Sequence, residues 1–145
     1  PLFEQGLVSK TYLARIHGHP SLDAFSCDEP VGQEPSIAGA RLIDRDNGLP
    51  ATTHFEIIRR DPDGTSLVVA RPETGRTNQI RLHLWHSGHP IQGDPVYLPG
   101  PKLGDRQTLA PGEPPLMLHA WKMEFRHPST GESIAFETPL PDWAH

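Results

Sequence analysis

Apolar and polar residues alternate from Leu7 to His17. One face of this run carries Val8, Lys10, Tyr12, Ala14 and Ile16, and the other carries Ser9, Thr11, Leu13 and Arg15. A period of two predicts a strand with Lys10 and Tyr12 pointing the same way. Gly18-His-Pro20 ends it. Residues 52–60 and 65–71 flank Asp61-Pro-Asp-Gly64. Proline presets φ at the second turn position and glycine accepts positive φ at the last, so an antiparallel hairpin is predicted. Residues 67–70 are apolar on both faces, which marks a central strand. The period then lengthens. Ile80 and Leu84, with His83 and Ser87, predict the buried stripe of a helix over about 77–87. Thr77 is the candidate N-cap and Gly88 the residue after its C-terminus, while Pro90 cannot continue it. Residues 116–125 and 133–138 predict a last hairpin across 127–131, and Pro139-Leu-Pro141 ends the fold. Residues 20–50 read as loop, with one short strand at 41–43. Residues 94–115, broken by prolines, read as an excursion loop. The sum is an α+β fold, mainly antiparallel or mixed sheet with few helices.

Composition changes this picture little. With 145 residues, one domain is expected. Seventeen prolines and thirteen glycines fit a turn-rich chain. No run of apolar residues is long enough for a membrane helix, and no signal peptide is visible. A single cysteine, Cys27, excludes an internal disulfide and suits a reducing, cytoplasmic compartment. The net charge of −5 does not by itself announce a nucleic-acid binder. The positive charge is local instead: Arg71, Arg76 and Arg81 fall in one stretch against the single acid Glu73.

That stretch carries the candidate chemistry. A strand end, a glycine turn and a helix start bearing arginines form an anion-binding geometry. Arg81 lies in an otherwise apolar segment, so it needs a carboxylate or phosphate partner if buried. Asp94, between Gly93 and Pro95, reads as a turn-fixing residue ahead of a catalytic one. His83, His86 and His89 are spaced by three. They lack the accompanying carboxylate of a metal site, and packed or solvated histidines are the expected outcome.

The motifs are more specific than the geometry. Thr74-Gly-Arg-Thr-Asn-Gln-Ile-Arg81, then Gly88-His-Pro-Ile-Gln-Gly-Asp94 with Tyr97, closely resembles the signature of the RluA family of pseudouridine synthases. Lys10-Thr-Tyr12, Pro50-Ala-Thr-Thr53, Leu118-His-Ala120 and the hairpin at 125–131 extend the resemblance over nearly the whole chain. Asn78 stands where the family commonly has histidine. The family's nucleophile is an aspartate in a His-Arg-Leu-Asp motif, and no such motif occurs in these 145 residues. The resemblance therefore implies the C-terminal portion of a pseudouridine synthase catalytic domain, with the part bearing the nucleophile lying N-terminal to it; Pro1 as the first residue fits a piece of a longer protein.

What the resemblance implies about function is an RNA pseudouridine synthase, an isomerase that converts uridine to pseudouridine in rRNA or tRNA. Neither a metal, nor a redox cofactor, nor a nucleotide is expected, and RNA is the expected partner. Tyr12 and Arg81 match the catalytic positions: an aromatic that packs on the flipped uracil and helps remove the C5 proton, and a cation that holds the nucleophilic carboxylate. Lys10, Arg76, Asn78 and Gln79 are the residues expected to orient the site or meet RNA. Two other classes remain open: a non-catalytic RNA-binding remnant of the same fold, and a small metal-dependent hydrolase built on His83, His86 and His89. The target uridine and the oligomeric state are not legible.

Overall fold

The computed structural model describes residues 7–106 and 111–145. Its strands are β1 (Val8–His17), β2 (Ala24–Cys27), β3 (Thr53–Arg60), β4 (Thr65–Pro72), β5 (Tyr97–Leu98), β6 (Lys102–Leu103), β7 (Leu118–Arg126) and β8 (Ser133–Glu137). One α-helix, α1 (Gln79–His86), joins them among the described residues. Six strands form a sheet in the order β2-β3-β4-β1-β7-β8, and every neighbouring pair is antiparallel. β5 and β6 make a separate two-stranded ribbon.

Both hairpins form where the turn residues direct. β4 is a central strand, and its first six residues are all buried. Register lines up Phe25, Phe55, Ala70, Tyr12 and Ala120 across five strands on one face. Helix α1 packs on that face. Ile80 and Leu84 join Ala14, Ile16, Phe55, Val68 and Ala70 in the main core. Each large apolar side chain sealed there contributes about 1.5–3 kcal/mol. The opposite face buries Leu13, Leu67 and Val69.

Several expectations need correction. The 20–50 region is not merely loop. It forms edge strand β2, and Val31 bridges to both Ile43 and Leu49. The expected strand at 41–43 reduces to that single bridge. With Ala40, Ala51, Val96 and Tyr97, Val31 also covers a second side of α1 at Leu82. A single-stripe reading fails for this helix because two layers enclose it. The excursion at 94–115 contains the β5–β6 ribbon, and residues 107–110 lie outside the described part. The fold does not end at Pro141: a 3-10 turn, Asp142–Ala144, follows, with Ala144 buried and Trp143 packed behind the sheet. Arg15 donates to the Trp143 carbonyl at 3.0 and 2.6 Å.

The helix also starts later than expected. Asn78, not Thr77, takes the N-cap position, with φ 59° and ψ 20°. Asparagine tolerates this left-handed conformation, whereas a β-branched threonine does not. No side chain caps from that position. Gln79 instead reaches back and accepts the Arg76 backbone N–H at 3.1 Å. No helix among the described residues is long and apolar enough to cross a membrane.

Candidate functional site

Where β1, the end of β4 and the start of α1 meet, they enclose a cleft of about 260 Å³. β1 contributes Lys10 and Tyr12; the turn after β4 contributes Thr74, Gly75 and Arg76; α1 and its approach contribute Asn78, Gln79, Ile80 and Arg81. Pro72 and Leu118 complete the lining. All six of the candidate residues Lys10, Tyr12, Arg76, Asn78, Gln79 and Arg81 are thus brought to one cavity. β1 and α1 are far apart in sequence, and the antiparallel placement of β4 beside β1 joins them.

Arg81 finds its partner in Asp94. Nε donates to Oδ2 and Nη2 to Oδ1, each at 2.8 Å. Asp94 is sealed from solvent, and its Oδ1 also accepts the backbone N–H groups of Val96 and Tyr97 at 2.9 and 3.1 Å. The residue therefore fixes the turn, as its neighbours imply, and anchors the arginine as well. Burial works to lower the Arg81 pKa, but the hydrogen bonds and charge of Asp94 outweigh it and hold the guanidinium above its ordinary value. Arg81 Nη1 donates to Asn78 Oδ1 at 3.3 Å, and the guanidinium lies 5.2 Å from the centre of the Tyr97 ring. A guanidinium has five N–H groups. Three are used among the described residues, which leaves one on each terminal nitrogen of a residue that lines the cleft.

Tyr12 is half-buried, and burial pushes its phenol up from the ordinary tyrosine value. Its ring forms a wall of the cleft on one side. With Lys10 it also lines a smaller, mainly apolar hollow formed by Ala120, Trp121, Met123 and Phe136. A bulge in β7 lies opposite the Thr11–Tyr12 step of β1. Such irregularities re-aim side chains next to sites.

Arg76 is tied to the approach to β3 by its Nε, which donates to the Pro50 carbonyl at 2.9 Å. Gln79 is 3% exposed. Its Nε2 donates to the Thr52 carbonyl and to Thr53 Oγ1, and its Oε1 accepts from Thr74 Oγ1 and the Arg76 N–H. Both protons and both acceptor sites of the amide are therefore used inside the protein.

The three spaced histidines go separate ways. His83 is fully buried and bonds Thr53 Oγ1 and the Glu29 carbonyl. His89 Nδ1 bonds the His17 carbonyl, and His86 is exposed. Among the described residues no group of three or more His, Cys, Asp or Glu could hold a metal ion. Two features escaped sequence reasoning. One is the identity of Asp94 as the Arg81 partner: the apolar surroundings of Arg81 called for a carboxylate or phosphate, but nothing in the spacing named Asp94. The other is the Thr53–Gln79–Thr74 set, with Thr53 and Gln79 buried and Thr74 partly so, which spacing could not reveal because its members come from three segments.

Comparison with known proteins adds a second line. Residues 2–86 match a family model described as RNA pseudouridylate synthase. The chain is 39% identical over 142 residues to the ribosomal large subunit pseudouridine synthase D of Nitrosomonas europaea, a match covering 96% of the chain and 40% of that protein. It is 34% identical over 137 residues to the dual-specificity RNA pseudouridine synthase RluA of Escherichia coli, covering 94% of the chain and 59% of that protein. Among solved structures, the human RNA pseudouridylate synthase domain containing 1 matches with a TM-score of 0.72 and 26% identity, over 97% of this chain and 58% of that one. The chain thus spans between about two-fifths and three-fifths of the length of these relatives.

Proposed function

The chain belongs to the RNA pseudouridylate synthase family, and from that premise we propose that it is the C-terminal portion of a catalytic domain that isomerises uridine to pseudouridine in rRNA or tRNA. The observation that carries this reading is the convergence of Lys10, Tyr12, Arg76, Asn78, Gln79 and Arg81 on one cleft.

In this reading the target uridine leaves its stack and enters the cleft, because its reacting atoms are inaccessible inside a helix. The bond from C1′ to N1 breaks, the uracil turns, and C5 bonds to C1′. C5 loses a proton and N1 gains one, so the reaction is an isomerisation with no net consumption of a cofactor. The Tyr12 ring packs on the base, a contact worth about 1–3 kcal/mol. Its raised phenol pKa argues against a phenolate acting as the base at neutral pH. Lys10 and Arg76 supply positive charge for the RNA backbone. Gln79, whose amide is fully engaged, orients the site and does not contact RNA.

The reaction also needs a carboxylate at the sugar. Asp94 cannot serve, since it is sealed from solvent and accepts four hydrogen bonds. We assign the nucleophile to an aspartate preceding this part of the protein, held by the two remaining N–H groups of Arg81. A bidentate pair of that kind would aim the carboxylate and keep it ionised.

The test is release of tritium from RNA labelled at uracil C5, using the full-length protein with rRNA and tRNA. Release that is lost in Arg81→Ala while RNA binding persists supports the reading. Binding without release from the unaltered full-length protein would instead assign a non-catalytic RNA-binding role.

A further inference from the structure

Behind the cleft, His83, Thr53 and Gln79 are 0%, 0% and 3% exposed and form a hydrogen-bonded chain. Nothing in the chemistry above uses His83 or Thr53. The direction of the chain follows from its one end that has no choice. The Glu29 carbonyl can only accept, so His83 Nε2, 2.8 Å away, carries the proton. A neutral imidazole then has a lone pair at Nδ1, and the Thr53 hydroxyl donates to it at 2.9 Å. Burial pushes the His83 pKa below the ordinary histidine value, in keeping with a neutral ring.

With its proton committed, the Thr53 oxygen can only accept, and it does so from Gln79 Nε2 at 2.9 Å. The second amide proton goes to the Thr52 carbonyl at 3.0 Å. These two bonds fix which way the amide faces. Oε1 must point at the turn, where it accepts Thr74 Oγ1 at 2.6 Å and the Arg76 N–H at 3.1 Å. A flipped amide would set its NH₂ against the Arg76 N–H, donor against donor. It would also leave its oxygen facing the Thr52 carbonyl. The tautomer at one end of the chain, the Thr52 carbonyl and the Arg76 N–H therefore all require the same amide orientation, with Oε1 against the turn.

The turn is consequential because it carries Arg76 to the cleft. Arg76 is held twice from one segment: its backbone through Gln79 to residues 52 and 53, and its side chain at Pro50. Thr74 is held likewise, since the Thr52 N–H donates to its Oγ1 at 3.3 Å.

We propose that His83, Thr53 and Gln79 form a one-way hydrogen-bond relay that presets the cleft-mouth turn at 74–76, and that they are positioning residues acting through Arg76. Insofar as Arg76 meets RNA, this rests on the function proposed above; the presetting of the turn does not.

The test compares Thr53→Val, which keeps the shape and removes the hydroxyl, with Thr53→Ser, which keeps the hydroxyl. Both are made in the full-length protein. Hydrogen exchange across residues 73–77 is read by mass spectrometry, and RNA affinity is measured with and without Arg76→Ala. Thr53→Val is expected to speed exchange in 73–77 by about tenfold, as loss of a buried hydrogen-bond partner would. It is expected to weaken RNA binding, with Thr53→Ser restoring both. In the Arg76→Ala background Thr53→Val should have no further effect on affinity, whereas a general loss of stability would still lower it. Unchanged exchange in 73–77, or an equal affinity loss in both backgrounds, would overturn the relay. If Thr53→Val does not fold, the nitrogen resonances of His83 in the unaltered protein decide: the Nε2–H tautomer is required, and the Nδ1–H tautomer refutes it. Exchange and resonances need no turnover, so a protein that makes no pseudouridine would refute the proposed function and leave the relay standing.

Discussion

Arg81 and Asp94 meet in two parallel hydrogen bonds of 2.8 Å, with the aspartate side chain wholly sealed and the arginine side chain 18% exposed. The pair holds the cleft side of α1 to the turn that leads into β5. Asp94→Asn would replace one acceptor with an N–H₂ facing the arginine's own N–H groups. We expect a loss of stability on the order of 3 kcal/mol, the usual cost of breaking such a pair from one side. Urea denaturation of the full-length protein measures it. Arg81→Lys should also destabilise, because a lysine cannot make the bidentate bond.

Gly93, one residue before Asp94, has φ +83°, and a Cβ there would run into the Pro115 carbonyl. Gly64, in the β3–β4 turn, has φ +86° with nothing within 4 Å of such an atom. Alanine at either position incurs the left-handed strain, about 1–2 kcal/mol. Only Gly93→Ala adds a backbone collision. Its melting temperature should therefore fall well below that of Gly64→Ala, and equal losses would show that the chain near Pro115 yields freely.

Local rules made much of this fold legible. The Asp61-Pro-Asp-Gly64 turn, the alternation in β1 and the apolar run in β4 each encode their structure within a few residues. The resemblance carried the site, since Tyr12 and Arg81 have no periodic relation that links them. Failures arose where the deciding contacts are distant. β2 is short and gains its identity only by pairing with β3. Leu82 is buried because the 31–51 segment and residues 96–97 cover it. The helix start shifted because a buried glutamine, and not a threonine cap, satisfies the preceding turn.

His83 predicts a pH dependence. Burial is the main cause that lowers its folded pKa below the ordinary value of 6.5. The unfolded chain then takes up the proton first as pH falls. Its preference opposes folding, so stability is full above 6.5 and declines as pH drops below it, levelling off under the folded pKa. Melting temperature should hold steady above pH 6.5 and fall as the pH drops below it. His83→Asn, which keeps an acceptor near the Nδ1 position and cannot titrate, should flatten this window. The lowered carboxyl pKa values of Asp61 and Asp63, caused chiefly by hydrogen bonds from Arg59 and from Thr65, act in a separate window below 3.8.

Tyr12 separates two roles that one residue can combine. Its ring is a wall of the cleft, while burial holds its hydroxyl protonated at neutral pH. Tyr12→Leu should cut turnover of the full-length protein by about 5- to 150-fold, the equivalent of a lost base–aromatic contact. Tyr12→Phe keeps the ring, so its RNA affinity should match that of the unaltered protein. A phenolate base would also make turnover rise nearly tenfold per pH unit from 7 to 9, because its population lies far below half there. If Tyr12 serves only as a packing surface, no such rise is expected. A steep rise that vanishes in Tyr12→Phe would place the hydroxyl in the proton step and end the reading of Tyr12 as a packing surface alone.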